Sequence, residues 1–190
     1  MTVPKAAFIA TIRRYGEMAL DVSLIEVQKL MYFLQAAGEV LRLNYTKSRY
    51  GPYADNLRKA LRSMEGHFIV GFGDGSKSVQ DAEPIELLPG ASDEAERALD
   101  AAPDTVARIE RVIRLSEGFE SAYGMELLAS VHWVATRESP QATADPAVAA
   151  ELVGAWNARK RRMMGPDHVA KAWSHLREEG WFTGSLPTRT

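Results

Sequence analysis

The fold is decided by the stretch from residue 23 to residue 44, SLIEVQKLMYFLQAAGEVLRLN. Ser23 and Glu26 have the spacing of a capping box, in which each side chain binds a free backbone N–H at the helix start. Apolar side chains then recur at helical spacing, at Leu24, Val27, Leu30, Met31, Leu34 and Val40. This periodicity predicts an amphipathic helix over 23–44 whose apolar face lies in the core.

The chain on either side of this stretch is also mostly helical in pattern. Asp145 and Pro146 have the pattern of an N-cap followed by proline at the first helical position. The YGP sequence at 50–52 separates two helices, because proline disfavours helix before it. Helices are predicted at 4–15, 23–44, 53–65, 92–101, 104–117, 121–137, 145–162 and 167–179.

The pattern changes between residues 67 and 88. The FIV sequence at 68–70 and the PIELL sequence at 84–88 contain the β-branched and aromatic residues that strands prefer. The GDGS sequence at 73–76 supplies the residues that a tight hairpin needs. We therefore predict an α+β fold, mainly α, with one small antiparallel sheet near residues 67–88.

Length and composition are those of an ordinary globular protein. The 190 residues are 46% hydrophobic and 25% charged, which predicts one domain over residues 1–182 and a frayed tail at 183–190. The absence of cysteine excludes a disulfide framework, a cysteine zinc site and a cysteine nucleophile. No apolar run is long enough to span a membrane and no signal-peptide pattern is present, so we predict a cytoplasmic location.

Charge is distributed unevenly along the chain. Residues 81–126 hold twelve acidic and four basic residues, a net charge of −8, whereas the segments before and after are mildly basic. One interpretation is that these carboxylates lie on solvated helix faces. The other is that they form an acidic surface that docks onto a basic partner.

The motifs that commonly carry chemistry are incomplete. The GFGDGS sequence at 71–76 lacks the ending of a phosphate-binding loop, which favours a hairpin turn. His132 lies inside an apolar helix, which favours a core position over a role as a metal ligand. No nucleophile, base and orienting group stand together. We therefore predict no catalytic residue, no cofactor-binding residue and no metal ligand, and an enzyme that uses His132 or the carboxylates is kept as a rival hypothesis.

Two polar surfaces have more than one interpretation. The RKRR run at 159–162 is typical of a helix C-terminus, where cations complement the dipole, and phosphate contact is the alternative. The YTKSRYGPY stretch at 45–53 holds three tyrosines and two cations at a chain break. Such a composition is typical of a binding surface, and equally of tyrosines that pack on the core and bond locally.

Several of these motifs together resemble a known family. The KLMYF sequence at 29–33 and the YGPY sequence at 50–53 are similar to the Panacea, or SocA-like, antitoxin domains. A longer and closer resemblance is to the C-terminal toxin-binding domain of the DarG antitoxins. It rests on residues 68–76, 84–91, 117–121 and 123–134, and extends over about residues 20–182.

The resemblance implies a function in a toxin–antitoxin system. DarG antitoxins act against DarT-type toxins, which ADP-ribosylate single-stranded DNA, and their C-terminal domain blocks the toxin by DNA mimicry. Their ADP-ribosyl hydrolase activity belongs to an N-terminal macrodomain, and no loop of the Asn-Ala-Ala-Asn type is present here. The resemblance therefore predicts a non-enzymatic antitoxin domain without a cofactor.

The resemblance also gives partners and candidate contact residues. The expected partner is a DarT-type toxin, the full-length protein is expected to carry the macrodomain, and neither a membrane nor direct nucleic-acid binding is expected. A DNA-binding transcriptional regulator that uses the basic C-terminal helices is the alternative. The toxin-binding candidates are Tyr45, Lys47, Arg49, Tyr50, Tyr53, Asp74, Glu117, Glu120 and Tyr123.

Overall fold

The computed structural model of the protein describes residues 1–78 and 81–182. Its α-helices are α1 (Val3–Gly16), α2 (Leu24–Ala36), α3 (Leu57–Arg62), α4 (Ala91–Leu99), α5 (Pro103–Ser116), α6 (Ala122–Trp133), α7 (Pro146–Trp156), α8 (Ala158–Met163) and α9 (Pro166–Glu178). A π-helical turn (Val134–Glu138) and a 3-10 turn (Pro140–Thr143) lie between α6 and α7. The strands are β1 (Tyr45–Ser48), β2 (Gly51–Ala54), β3 (Ile69–Val70) and β4 (Glu86–Leu87).

The fold class is confirmed: the described chain is mainly helical with small antiparallel sheets. Strands β3 and β4 pair within the predicted 67–88 region. Residues 71–85 connect them, so the prediction of a tight hairpin turn at 73–76 is wrong. A second sheet, formed by β1 and β2 with Ser48 opposite Gly51, was not predicted from the sequence.

Helix α2 is shorter than the apolar pattern over residues 23–44 predicts. Helix α2 ends at Ala36 rather than at residue 44. The reason is local: Gly38 has a φ of +104°, the left-handed conformation of a glycine C-cap. Its N–H donates to the Gln35 carbonyl oxygen at 3.0 Å, and the next N–H donates to the Leu34 carbonyl oxygen at 3.1 Å. Beyond this cap, the Gln35 side-chain amide donates to the Leu43 carbonyl oxygen at 2.9 Å and accepts from the Leu43 N–H at 2.7 Å. These bonds fold the chain back on the helix end, and Val40 is 66% exposed instead of facing the core.

Two other helix boundaries also differ from the prediction. Residue 53 lies in β2, and α3 begins at Leu57. The helix predicted over 145–162 is broken at Asn157, whose extended backbone ends α7 and whose side chain accepts from the Lys160 N–H at 2.8 Å. Asn157 is therefore the N-cap of a separate helix, which is one of the functions that asparagine serves best.

Helix α2 occupies the centre of the molecule. The predicted capping box is present, and its Glu26 carboxylate also accepts a 2.7 Å hydrogen bond from the buried Tyr15 hydroxyl of α1. Helix α2 packs against α6 and strand β2, while α9 covers α6 from the other direction. The apolar core here is formed by Leu30 and Phe33 of α2 and by Leu128 and Val131 of α6, all of which are fully buried.

No helix in the two described ranges is long and apolar enough to cross a membrane. The tail at 183–190, predicted to be frayed, lies outside the described residues. The assignment of 1–182 to one domain stays a prediction.

Candidate functional site

A cluster of buried charges lies beneath the turn between β1 and β2. We call Lys29, Glu126, Ser130 and Lys160 the charge cluster; each is at most 1% exposed. The Lys160 ammonium contacts Glu126 Oε1 at 2.5 Å and Ser130 Oγ at 2.9 Å. The Arg159 guanidinium binds the same carboxylate oxygen at 2.6 Å. Both cations that bind this carboxylate come from α8.

Burial controls the protonation of both lysines. Desolvation lowers the pKa of Lys29 to about 7, although the negative charge of Glu126 acts in the opposite direction. Desolvation likewise lowers the pKa of Lys160 despite its contact with Glu126. Burial disfavours the charged form of an amine, so the charge cluster depends on Glu126 to hold its cations inside the protein.

The charge cluster supports the turn directly. The Lys29 ammonium donates a 2.6 Å hydrogen bond to the Pro52 carbonyl oxygen. Gly51 has a φ of +92°, and a Cβ atom at this position would lie 3.1 Å from Ser130 Oγ. Glycine is therefore required at residue 51 both for the backbone conformation and for the close approach to α6.

The junction between α7 and α8 holds the turn from the side. The Trp156 indole N–H donates to the Ser48 carbonyl oxygen at 2.8 Å, and the Asn157 amide donates to the Arg49 carbonyl oxygen at 3.2 Å. Between these segments runs an open groove of about 630 Å³, which we call the turn groove. Its lining residues are Lys47, Ser48, Arg49, Trp156, Asn157, Ala158 and Arg159.

The cations of the turn groove lie against two aromatic rings, Trp156 in its wall and Tyr50 beside it. The Lys47 ammonium lies 4.4 Å from the centroid of the Trp156 ring and 2.7 Å from Glu138 Oε1. The guanidinium groups of Arg49 and Arg159 lie 5.4 Å and 4.7 Å from the centroid of the Tyr50 ring. Cation–π contacts of this kind fix long side chains against rigid rings, so the groove presents its charges in defined positions.

A second buried polar contact joins α2 to α6. The Tyr32 hydroxyl lies 2.8 Å from His132 Nδ1, and the other partner of the ring is the backbone of Trp181. Burial lowers the pKa of His132 to about 3. A neutral ring that accepts from Tyr32 and donates to Trp181 satisfies both nitrogens. The prediction that His132 is a core residue is confirmed by its 2% exposure.

Acid is expected to destabilise the protein through His132. Its folded-state pKa of about 3 lies below its unfolded value of about 6.5, so between these values the unfolded chain binds more protons. The contribution of His132 to stability is therefore complete above pH 6.5 and falls by about 1.4 kcal/mol per pH unit below it. Urea unfolding at pH 7, 6 and 5 measures this slope. The variant His132→Asn is expected to give a shallower slope, and an equal slope would contradict the account.

The structure divides the nine predicted toxin-binding candidates among three places. Five lie on the β1–β2 hairpin, and of these Lys47, Arg49 and Tyr50 are at the turn groove. Tyr45 instead packs on Tyr32 with ring centroids 5.1 Å apart and donates to the Gln28 carbonyl oxygen at 3.1 Å. Tyr53 accepts a hydrogen bond from Arg58. Tyr45 and Tyr53 therefore serve local packing, the second of the two sequence interpretations.

The remaining candidates lie elsewhere. Asp74 is exposed in the loop after β3 and accepts from the Ser76 N–H at 2.8 Å. Glu117 is exposed, and Glu120 accepts from the Gly118 N–H at 2.8 Å. The Tyr123 hydroxyl donates to the Met163 carbonyl oxygen and lies 2.6 Å from the Nδ1 atom of the His168 ring.

The residues around Tyr123 form a second cleft. Its volume is about 390 Å³, and its lining residues are Gly118, Phe119, Glu120, Ser121, Tyr123, Gly124, Leu127, His168 and Lys171. Helix α8 lies between this cleft and the turn groove, because Arg159 reaches Tyr50 while the Met163 carbonyl oxygen reaches Tyr123. Among the described residues, no three His, Asp or Glu side chains are grouped so that they could hold a metal ion.

Sequence reasoning missed the residues that support the groove. Glu126 and Lys160 are 34 positions apart, and no local pattern indicates that they pair. The interpretation of the basic run at 159–162 as a helix C-terminus is wrong for its first two residues: Asn157 is the N-cap of α8, and Lys160, in the first turn, is fully buried. The available signal was Asn157, an N-cap residue type directly after the apolar α7. A helix start at Asn157 brings Arg159 and Lys160 into a first helical turn that faces Glu126.

Curated relatives match most of this chain. A protein of Mycobacterium tuberculosis (strain ATCC 25618 / H37Rv) named DNA ADP-ribosyl glycohydrolase is 42% identical over 188 residues, which cover 93% of this chain and 53% of the relative. The Mycobacterium bovis protein of the same name matches equally well. A Thermus aquaticus protein with this name is 39% identical over 160 residues, covering 84% of this chain and 42% of the relative. No family model matches the chain.

These names correct the function inferred from the resemblance. Glycohydrolases are enzymes, so the predictions of a non-enzymatic DarG-type antitoxin domain and of DNA mimicry against a DarT-type toxin are wrong. The alternative of a transcriptional regulator is not supported either. Within the acidic segment, Glu126 is buried, and Glu96 and Glu110 lie 3.6 Å and 3.9 Å from the Arg14 guanidinium.

The KLMYF sequence at 29–33 determines packing and does not indicate a function. Lys29 and Tyr32, the polar residues of the KLMYF sequence, are both buried. They specify how α2 packs against the turn and α6, and this packing carries no information about the reaction. The chain spans about half the length of the curated relatives that it matches and is similar to proteins named DNA ADP-ribosyl glycohydrolases.

Proposed function

We propose that this chain acts in the removal of ADP-ribose from DNA, as part of a DNA ADP-ribosyl glycohydrolase. The observation that carries the proposal is the 42% identity to a protein of that name over 93% of the chain. Identity at this level over nearly the whole chain supports a shared role for this segment. Because the match covers 53% of the relative, the activity itself is proposed for the protein as a whole.

The reaction class follows from the name. Hydrolysis breaks the bond between the anomeric carbon of the ADP-ribose and the DNA atom that carries it. Water supplies a hydroxyl group to the ADP-ribose, and the DNA atom gains a proton. An enzyme gains much of its rate by holding the reactants in position. The rigid, cation-lined turn groove supports the idea that this chain helps to hold the DNA.

Three further expectations stay part of the proposal. The full-length protein is expected to carry an N-terminal macrodomain, as the resemblance implies. A DarT-type protein stays a proposed binding partner, without the claim that binding neutralises it. A cytoplasmic location stays a proposal that rests on the absence of cysteine from these 190 residues.

The test is release of ADP-ribose from DNA. The protein in its full natural length is incubated with an ADP-ribosylated oligonucleotide, and free ADP-ribose is measured by chromatography. The expected result is release that increases with enzyme concentration. The control is the same oligonucleotide incubated without protein. A pure, folded protein that leaves the modified oligonucleotide intact would refute the proposal.

A further inference from the structure

We propose that the turn groove binds single-stranded DNA, with its cations on the phosphates and its indole ring under a base. This inference rests on the proposed function and names the part of the substrate that the groove would hold. It departs from the sequence-based expectation that the chain does not bind nucleic acid directly. Three properties of the groove support the proposal: its charge, its rings and its rigidity.

The charge of the groove fits a polyanion. Lys47, Arg49 and Arg159 line it, and Arg162 lies one helical turn beyond the lining residue Ala158, on the same face of α8. Glu138 pairs with Lys47, and the buried Glu126 pairs with Arg159. Arg49 and Arg162 are exposed. A line of cations with a net positive charge is the electrostatic footprint of a nucleic-acid backbone.

The rings of the groove favour an unpaired base. Trp156 is half-buried, with its indole N–H fixed on the Ser48 carbonyl oxygen. The exposed Lys47 ammonium lies 4.4 Å from the centroid of this ring, so a base stacks on the indole by taking the place of that ammonium, which moves to a phosphate. Proteins bind single strands by combining such surfaces with a cationic path, because every base has a face that can stack. In a duplex each base already stacks on its neighbours, so this contact selects single strands.

The supports beneath the groove make it rigid. The Pro52 carbonyl oxygen is held by Lys29, and the Ser48 and Arg49 carbonyl oxygens are held by Trp156 and Asn157. Both guanidinium groups beside Tyr50 lie over its ring. A site that is already ordered loses less conformational entropy on binding. The charge cluster therefore has a function in this proposal: it keeps the DNA-binding turn in place.

The test measures binding of unmodified DNA to the 190-residue chain. A fluorescent single-stranded 15-mer is titrated at several salt concentrations, and anisotropy gives the affinity. With four phosphate contacts we expect a log–log salt slope of about −3. Replacing two exposed cations, in Arg49→Ala/Arg162→Ala, is expected to make this slope shallower by about 1.4 and to weaken binding about tenfold at low salt.

Two controls make the result specific. The variant Lys59→Ala/Arg97→Ala removes two exposed cations outside the groove and is expected to bind as the unchanged protein does. An oligonucleotide of the same charge with abasic sites is expected to bind about tenfold more weakly, because the stacking contact is lost. Duplex DNA of equal length is likewise expected to bind more weakly.

The outcomes separate this proposal from the proposed function. Absence of binding at low salt, equal binding by the Arg49→Ala/Arg162→Ala variant, or equal affinity for the abasic strand would each overturn the groove assignment. Because the oligonucleotide carries no ADP-ribose, these results leave the hydrolysis test unaffected. Conversely, groove-dependent DNA binding without ADP-ribose release would refute the proposed function and keep the groove assignment.

Discussion

Replacing Glu126 with glutamine is expected to lower the free energy of unfolding by about 3 to 5 kcal/mol. Glu126 is 1% exposed, and its carboxylate contacts both Lys160 and Arg159. Glutamine keeps the size of the side chain but removes its negative charge, so the neighbouring buried cations lose their counterion. Urea unfolding at pH 7 measures this loss. The control is Glu17→Gln, which weakens an exposed ion pair with Arg13 and is expected to lower the free energy of unfolding by about 0.5 kcal/mol.

The pH dependence of this loss gives a sharper test. Desolvation already lowers the pKa of Lys29 to about 7 and also lowers that of Lys160. Without Glu126 both pKa values fall further, because an attraction that raises them is removed. Lys29 is neutral at pH 9 with or without Glu126, so its loss of a counterion counts only at lower pH, and the destabilisation by Glu126→Gln is expected to be smaller at pH 9 than at pH 6. A loss below 1 kcal/mol at both pH values would contradict the charge cluster.

Replacing Phe33 with alanine is expected to cost about 3 to 5 kcal/mol of unfolding free energy. Phe33 is fully buried in α2. Its ring centroid lies 5.2 Å from that of Tyr32, 5.4 Å from that of His132 and 5.2 Å from that of Trp181. Truncation removes apolar burial and leaves a cavity where α2, α6 and the segment after α9 meet.

The size of this cavity can be varied. Phe33→Leu fills most of the volume and is expected to cost about 1.5 kcal/mol or less. Phe119→Ala removes a half-buried ring that packs on His175 with centroids 5.0 Å apart, and its cost is expected to lie between these values. If alanine at residue 33 cost no more than leucine, the ring would not be the junction of these three segments.

Local signals predicted the parts of the fold that local interactions determine. The capping box at Ser23 and the proline helix start after Asp145 are both present, because each depends on residues within one helical turn. The end of α2 was predicted eight residues too late, since the apolar pattern continues to Val40 while the chain leaves the helix at Gly38. Glycine after a helix is itself a local stop signal, and the prediction followed the apolar periodicity instead.

The candidate site was only partly predictable, because its walls and supports come from segments that are distant in the sequence. The composition of residues 45–53 indicated a binding surface, and Lys47, Arg49 and Tyr50 lie at the turn groove. The second wall of the groove comes from Trp156, more than 100 residues later in the chain. The buried pair of Glu126 and Lys160 likewise depends on tertiary contact. Such pairs are invisible to a pattern read along one segment.

The kinetics of ADP-ribose release show whether this chain holds the DNA strand during hydrolysis. The full-length protein and its Arg49→Ala/Arg162→Ala variant are compared on an ADP-ribosylated single-stranded oligonucleotide. If this chain holds the DNA strand for hydrolysis, the variant is expected to show a KM raised about tenfold with an unchanged kcat, because the lost contacts bind substrate and transition state equally. Identical kinetics for the two proteins, or no release by either, would contradict the account.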